Sequence, residues 1–235
     1  MIFDPIYWLV IGAGMLLSLW AQARVKGAFK KYSRIGTSSR LTGAQIAQKI
    51  LERNGIHDVT VESVRGSLSD HYDPRSKTLR LSEPVYGSSS MAAFGIAAHE
   101  VGHAIQHSRG YAPLGFRSRW VPVASLGSKL SMFVIIGAFF LGGVGTPMGY
   151  TVSMVGILLF STTTVFTLIT LPVEFDASKR ALVALDDGGF VNEVELAGAK
   201  KVLDAAAMTY VAAFVTSLLT LLYWASRLGI FGGRR

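Results

Sequence analysis

His99-Glu100-Val101-Gly102-His103 lies inside an uninterrupted helical run, and its H-E-x-x-H spacing sets the question the rest of the chain has to answer. Residues four apart share one face of a helix, so the two imidazoles can converge on a single metal ion. Glu100 follows the first histidine directly and can reach a water on that metal. Ser88, Ser89 and Ser90 offer N-caps for a helix from about 91 to 107, and Gly110 and Pro113 mark its end. The apolar lead-in from Met91 to Ala98 reads as plain core packing.

The flanking composition is that of a membrane protein. Half of the 235 residues are hydrophobic, 16% are charged, and the mean hydropathy is +0.40, too apolar for an ordinary soluble enzyme. There is no cysteine, which excludes a disulfide framework and thiolate ligands, so any metal must be held by His, Asp or Glu. The net charge of +8 is unevenly spread: residues 24–120 carry 15 Lys and Arg against 7 Asp and Glu, beside apolar spans. That pattern suits a domain lying against anionic lipid headgroups. No nucleic-acid reader motif is visible, so the bilayer, not nucleic acid, is the expected partner.

Residues 6–23 are apolar, uncharged and long enough for one spanning helix. Ala21-Gln22-Ala23 looks like a leader cleavage site, but no Lys or Arg precedes the apolar run, and the segment reads as an anchor. Arg24, Lys26, Lys30, Lys31 and Arg34 then place its far end in the cytoplasm. Thr42 caps a helix expected to run to about Asn54 with Gly55 as its stop, and residues 59–64 and 78–82 alternate like strands. Further spans are expected at 121–145, 150–173 (ending at Pro172) and 207–226. The expected organisation is an anchor over 1–23, a histidine-bearing domain over 24–120, an apolar hairpin over 121–173, a glutamate-bearing helical segment over 174–206, and a last span with tail over 207–235. Four spans put the histidine helix and the 174–206 segment on one side of the membrane. Arg227, Arg234 and Arg235 then fall on the opposite side, against the charge rule.

Catalytic zinc takes three protein ligands and an open position. The longer three-histidine box would require glycine at Gln106 and histidine at Arg109, so that class is excluded. His107 is four residues past His103, but three ligands from one straight helix strain tetrahedral geometry. It reads better as a polar residue near the helix end. Glu174 is the preferred third ligand, opening a helix directly after a span on the same side, although an acid at a helix N-terminus also suits the macrodipole. Asp176 is the reserve. The expected chemistry is hydrolysis by a zinc-activated water, with Glu100 as base. Tyr210, Tyr72 and His71 are candidate oxyanion donors, and Tyr210 equally suits an interfacial belt. Strand 78–82, if at a sheet edge, could hold an extended peptide substrate.

With those residues in view, the chain resembles the YugP-type neutral zinc metallopeptidases of bacterial membranes. The resemblance covers nearly the whole chain: the N-terminal span, Ser69-Asp70-His71-Tyr72-Asp73-Pro74 with Leu79-Arg80-Leu81-Ser82, the box from His99 to His107, and Pro172 to Leu182. It is more distantly similar to the HtpX and CAAX-prenyl membrane proteases. The resemblance implies an α+β membrane protein of about four transmembrane helices with a small gluzincin-like zincin domain. It also implies one Zn2+ on His99, His103 and Glu174, with Glu100 as base, and the spans and basic block described above put that site at the cytoplasmic face of a multi-pass protein of the bacterial inner membrane. The expected substrate is a peptide or membrane protein. Those families continue the glutamate helix as E-x-x-A-D, whereas Ser178 stands here where the aspartate would, leaving open what orients His99 or His103. Two rival readings are an intramembrane, site-2-like protease using Asp186 or Asp187 as third ligand, and a scaffold with a structural, four-ligand metal.

Overall fold

The computed structural model describes residues 4–231. Its elements, in order, are α1 (Pro5–Tyr32), α2 (Gly43–Arg53), β1 (Thr60–Val64), β2 (His71–Asp73), β3 (Thr78–Ser82), α3 (Glu83–Tyr86), α4 (Met91–Ser108), α5 (Ala112–Phe140), α6 (Pro147–Asp187) and α7 (Glu193–Arg227). The chain forms two units. One holds the chain up to Trp20, Phe116–Leu171 and the chain from Tyr210 onward; the other holds Ala21–Gly115 and Pro172–Thr209.

The second unit carries the histidine box. Thr42 begins α2 through a capping box, its hydroxyl accepting from Gln45 N while the Gln45 side chain accepts from Thr42 N. Ser90 starts α4 by accepting from Ala93 N. Ile46, Ile50 and Leu51 of α2, Leu79 and Leu81 of β3, Phe94 and Val101 of α4, Ala181 and Leu185 of α6 and Leu203 of α7 share one buried core. The sheet has the order β1-β3-β2, with β1 and β3 parallel and β3 and β2 antiparallel. The central strand is therefore 78–82, not an edge, because Leu79 and Leu81 point into the core and both of its sides are hydrogen-bonded. The expectation that it would accept an added peptide strand is overturned.

Glycines set how closely the helices of this unit approach. A Cβ on Gly102, between the two histidines, would lie 2.4 Å from the carbonyl oxygen of Ala177 on α6. One on Gly95 would lie 3.2 Å from the carbonyl oxygen of Ala199 on α7. The histidine helix thus lies backbone to backbone against the helix that bears Glu174. A second expectation also changes. Pro172 ends no helix, and Glu174 opens none: both lie inside the 41-residue α6. The proline removes one backbone donor, but the helix is held on either side of it by the buried Thr170, Val173, Glu174 and Ala177.

In the other unit, four helices (α1, α5, α6 and α7) supply segments long and apolar enough to cross a membrane. Gly14 of α1 lies against Thr216 of α7, Gly127 of α5 against Leu159 and Thr162 of α6, and Gly156 of α6 against Ile135 of α5. Small residues at such contacts allow the dispersion packing that holds helices together in lipid. Asp4, just ahead of α1, accepts from Tyr223 Oη (2.7 Å) and pairs with Arg227 (2.5 Å), both on α7.

Candidate metal centre

His99 and His103 project from the same side of α4 with ring centroids 4.8 Å apart and planes at 83°. Glu174 Oε2 lies 3.2 Å from His99 Nε2 and 3.6 Å from His103 Nε2. One ligand atom from each of the three residues falls within 4.8 Å of the others. Ligands about 2.1 Å from a tetrahedral zinc stand roughly 3.4 Å apart, so this donor set fits the ion. Glu174 and His103 are buried. An assembly of two imidazoles and a carboxylate in such a place calls for a cation among them.

The outer nitrogens of both rings are held by protein. His99 Nδ1 lies 3.0 Å from Ser178 Oγ, and His103 Nδ1 lies 3.1 Å from Gln106 Oε1. Gln106 Nε2 donates to the Val173 carbonyl and to Asp176 Oδ2, each at 2.8 Å. Arg180 Nε donates to the same Asp176 oxygen at 2.6 Å. Ser178 therefore meets the outer nitrogen of His99 with a hydroxyl. Burial works against an imidazolium at His103, but the neighbouring Glu174 and Glu100 outweigh it and raise its proton affinity above the usual histidine value. A proton and a metal cation thus compete for one pocket of negative charge. The Glu100 side chain is buried and has no protein hydrogen bond among the described residues, so its oxygens remain available.

Several other candidates are engaged elsewhere. His107 Nδ1 is 2.8 Å from Tyr72 Oη, and Asp176 is taken by Gln106 and Arg180, so neither joins the three-residue group. Asp186 is twelve residues beyond Glu174 on the same helix, about 18 Å along its axis, and Asp187 is one further. His71 is exposed, with its Nδ1 2.8 Å from the Ser69 carbonyl oxygen. Burial, aided by Asp58 and Asp73, pushes the Tyr72 phenol up to about 12. Tyr210 is half-buried on α7. The Ser69–Pro74 segment is architectural. Asp70 accepts from Ser82 N (2.7 Å) and Ser82 Oγ (3.0 Å), locking β2's approach to the end of β3, and burial raises its carboxyl pKa against those bonds. Asp73 accepts from Arg75 N and Ser76 Oγ, closing the turn between the strands.

The fold and this donor set define a class: a mainly helical chain with a small sheet, four helices apolar enough for a membrane, and a candidate two-histidine, one-carboxylate metal site built on an H-E-x-x-H helix. The chain belongs to the family described as "Putative neutral zinc metallopeptidase", whose model matches residues 7–229. It is 48% identical over 210 residues to "Putative membrane protease YugP" of Bacillus subtilis (strain 168), covering 89% of this chain and 91% of that one. No solved structure matches the chain.

Proposed function

We propose that the chain is a multi-pass, zinc-dependent endopeptidase of the bacterial inner membrane, with a gluzincin-like site at the cytoplasmic face. The observation that carries this reading is the convergence of His99, His103 and Glu174, with both outer imidazole nitrogens already engaged and Glu100 unpaired beside them. His99, His103 and Glu174 would hold one zinc ion. Zinc, when bound, lowers the pKa of a water toward neutrality and polarises the scissile carbonyl.

The chain's own groups supply the rest. Glu100 takes the proton from the attacking water and later delivers it to the departing amine. The buried walls around His103 and Glu174 keep bulk water from screening that transfer. Tyr210 is the candidate donor to the developing oxyanion. The substrate is a peptide or membrane protein, and β2 is its candidate docking edge. That strand is outermost in the sheet, and its Tyr72 touches His107, one turn beyond His103. Paired backbone groups along β2 would hold a chain extended beside the histidine helix. The excess of Lys and Arg in residues 24–120 supports the cytoplasmic placement.

The deciding experiment compares purified wild-type protein with Glu100→Gln in detergent, by metal analysis and peptide digestion. Both should carry one zinc, and only the wild type should cleave. Undiminished cleavage by the variant would sink the assignment of Glu100. A metal-free wild type would sink the zinc site itself.

A further inference from the structure

The two ligand histidines rest on unlike supports, and the one beneath His103 fixes more than a position. Gln106 lies three residues past His103 on α4, on the same helix face. It is fully buried. Its amide nitrogen faces two groups that only accept, the Val173 carbonyl and the Asp176 oxygen that Arg180 already donates to. Both amide hydrogens are thereby consumed, and the amide cannot be turned over without setting its oxygen against two other oxygens. The oxygen must then face His103, and an oxygen can only accept. When neutral, His103 must carry its proton on Nδ1, which leaves the lone pair of Nε2 directed toward Glu174 Oε2, 3.6 Å away. An imidazole lone pair aimed at a carboxylate is repulsive unless a proton or a metal cation lies between them.

We infer that Gln106 is a positioning residue that selects the metal-binding tautomer of His103, and that Arg180 and Asp176 act through it by fixing the direction of its amide. This rests on the zinc reading above, since it says which nitrogen of His103 is offered to the ion. It differs from a purely structural role, in which a buried amide would tie α4 to α6 with either end. The chain Arg180–Asp176–Gln106–His103 joins the two helices by three consecutive hydrogen bonds, and each one dictates the direction of the next. His99 has no such constraint, because a serine hydroxyl rotates and can either donate or accept.

The test uses the full chain in detergent. The imidazole nitrogens of His103 are read by 15N NMR at alkaline pH, where the ring is neutral, and the resonance is assigned with His103→Gln. Zinc affinity is measured by competition with a chelator. His103 is expected as the Nδ1–H tautomer in the wild type, with or without metal. Gln106→Leu should weaken zinc about tenfold to a hundredfold, the usual cost of losing a partner behind a ligand. Gln106→Glu, which keeps an acceptor for Nδ1–H, should recover part of that loss when combined with Asp176→Asn, which supplies a donor back to it. Finding Nε2–H as the neutral tautomer of the wild type would overturn the inference, and this needs no variant to fold. Zinc affinity unchanged within twofold in a folded Gln106→Leu would overturn it as well. A wild type that binds no zinc would remove the metal reading, while the tautomer measurement would still decide what Gln106 does to His103.

Discussion

At the scale of single residues, Ser178 shows what a shortened side chain can still do. Its hydroxyl reaches His99 Nδ1 at 3.0 Å, but a neutral oxygen accepts a weaker hydrogen bond than a carboxylate would. Ser178→Ala should therefore loosen zinc by roughly tenfold, at the mild end of such losses, whereas Ser178→Asp should hold it at least as tightly as wild type. Chelator competition measures both, and equal affinity in all three proteins would mean that His99 needs no support. The candidate group of His99, His103 and Glu174 was legible in the sequence because helical spacing pairs the two histidines and because the expected span count puts Glu174 on their side. Gln106 was not legible in this role. At i+3 from a candidate ligand it carried a signal, a buried amide on the ligand face, but its partners Val173 and Asp176 lie about seventy residues away in the chain. Asp176 shows the same limit, since a carboxylate near a metal box reads as a ligand until its oxygen is found on Gln106 and Arg180.

At the scale of elements, the site depends on how closely α4 and α6 approach. Gly102→Ala would drive a methyl into the Ala177 carbonyl, and neither backbone can yield without moving a candidate ligand. Overpacking of this kind costs about 1–3 kcal/mol. The variant should lose zinc affinity more than thermal stability, whereas Gly95→Ala, with 3.2 Å of clearance against α7, should be milder in both. If the two variants behave alike, contact between α4 and α6 is not what sets the site. The tie between β2 and α4 is open to pH. Burial raises the Tyr72 phenol to about 12, above the ordinary value near 10, so its contribution is intact below about pH 10 and is lost as pH rises through about 12. A tyrosinate absorbance titration should show a late-ionising phenol near pH 12 that is missing from Tyr72→Phe. The strand, turn and cap signals around these elements were readable locally: the cap at Thr42 and the alternation at 78–82 both correspond to real elements. Pairing order was not readable, because alternation says which face is buried and not which strand lies in the middle. The reach of α6 past Pro172 escaped too, since a proline reads as a stop until burial on both sides of it is known.

At the scale of the whole molecule, the apparent exception in the charge pattern has a local partner. Arg227 is bound by Asp4, and both are held by Tyr223, so its charge is compensated where α1 begins and α7 ends. The start of the first candidate span and the end of the last therefore meet, as an even number of crossings requires. Arg234 and Arg235 lie outside the described residues. The proposed orientation then rests on the basic block after α1, and the absence of cysteine makes it directly testable. Single cysteines at Ser67, in the exposed loop between β1 and β2, and at Val144, in the exposed turn between α5 and α6, would be the only thiols in the chain. In spheroplasts treated with a membrane-impermeant maleimide, Val144→Cys should label at once. Ser67→Cys should label only after the membrane is opened. The reverse pattern would place the histidine helix on the outer face, where a peptidase would meet a different set of chains. Labelling of both without permeabilisation would mean that α5, the candidate span between them, does not cross the membrane.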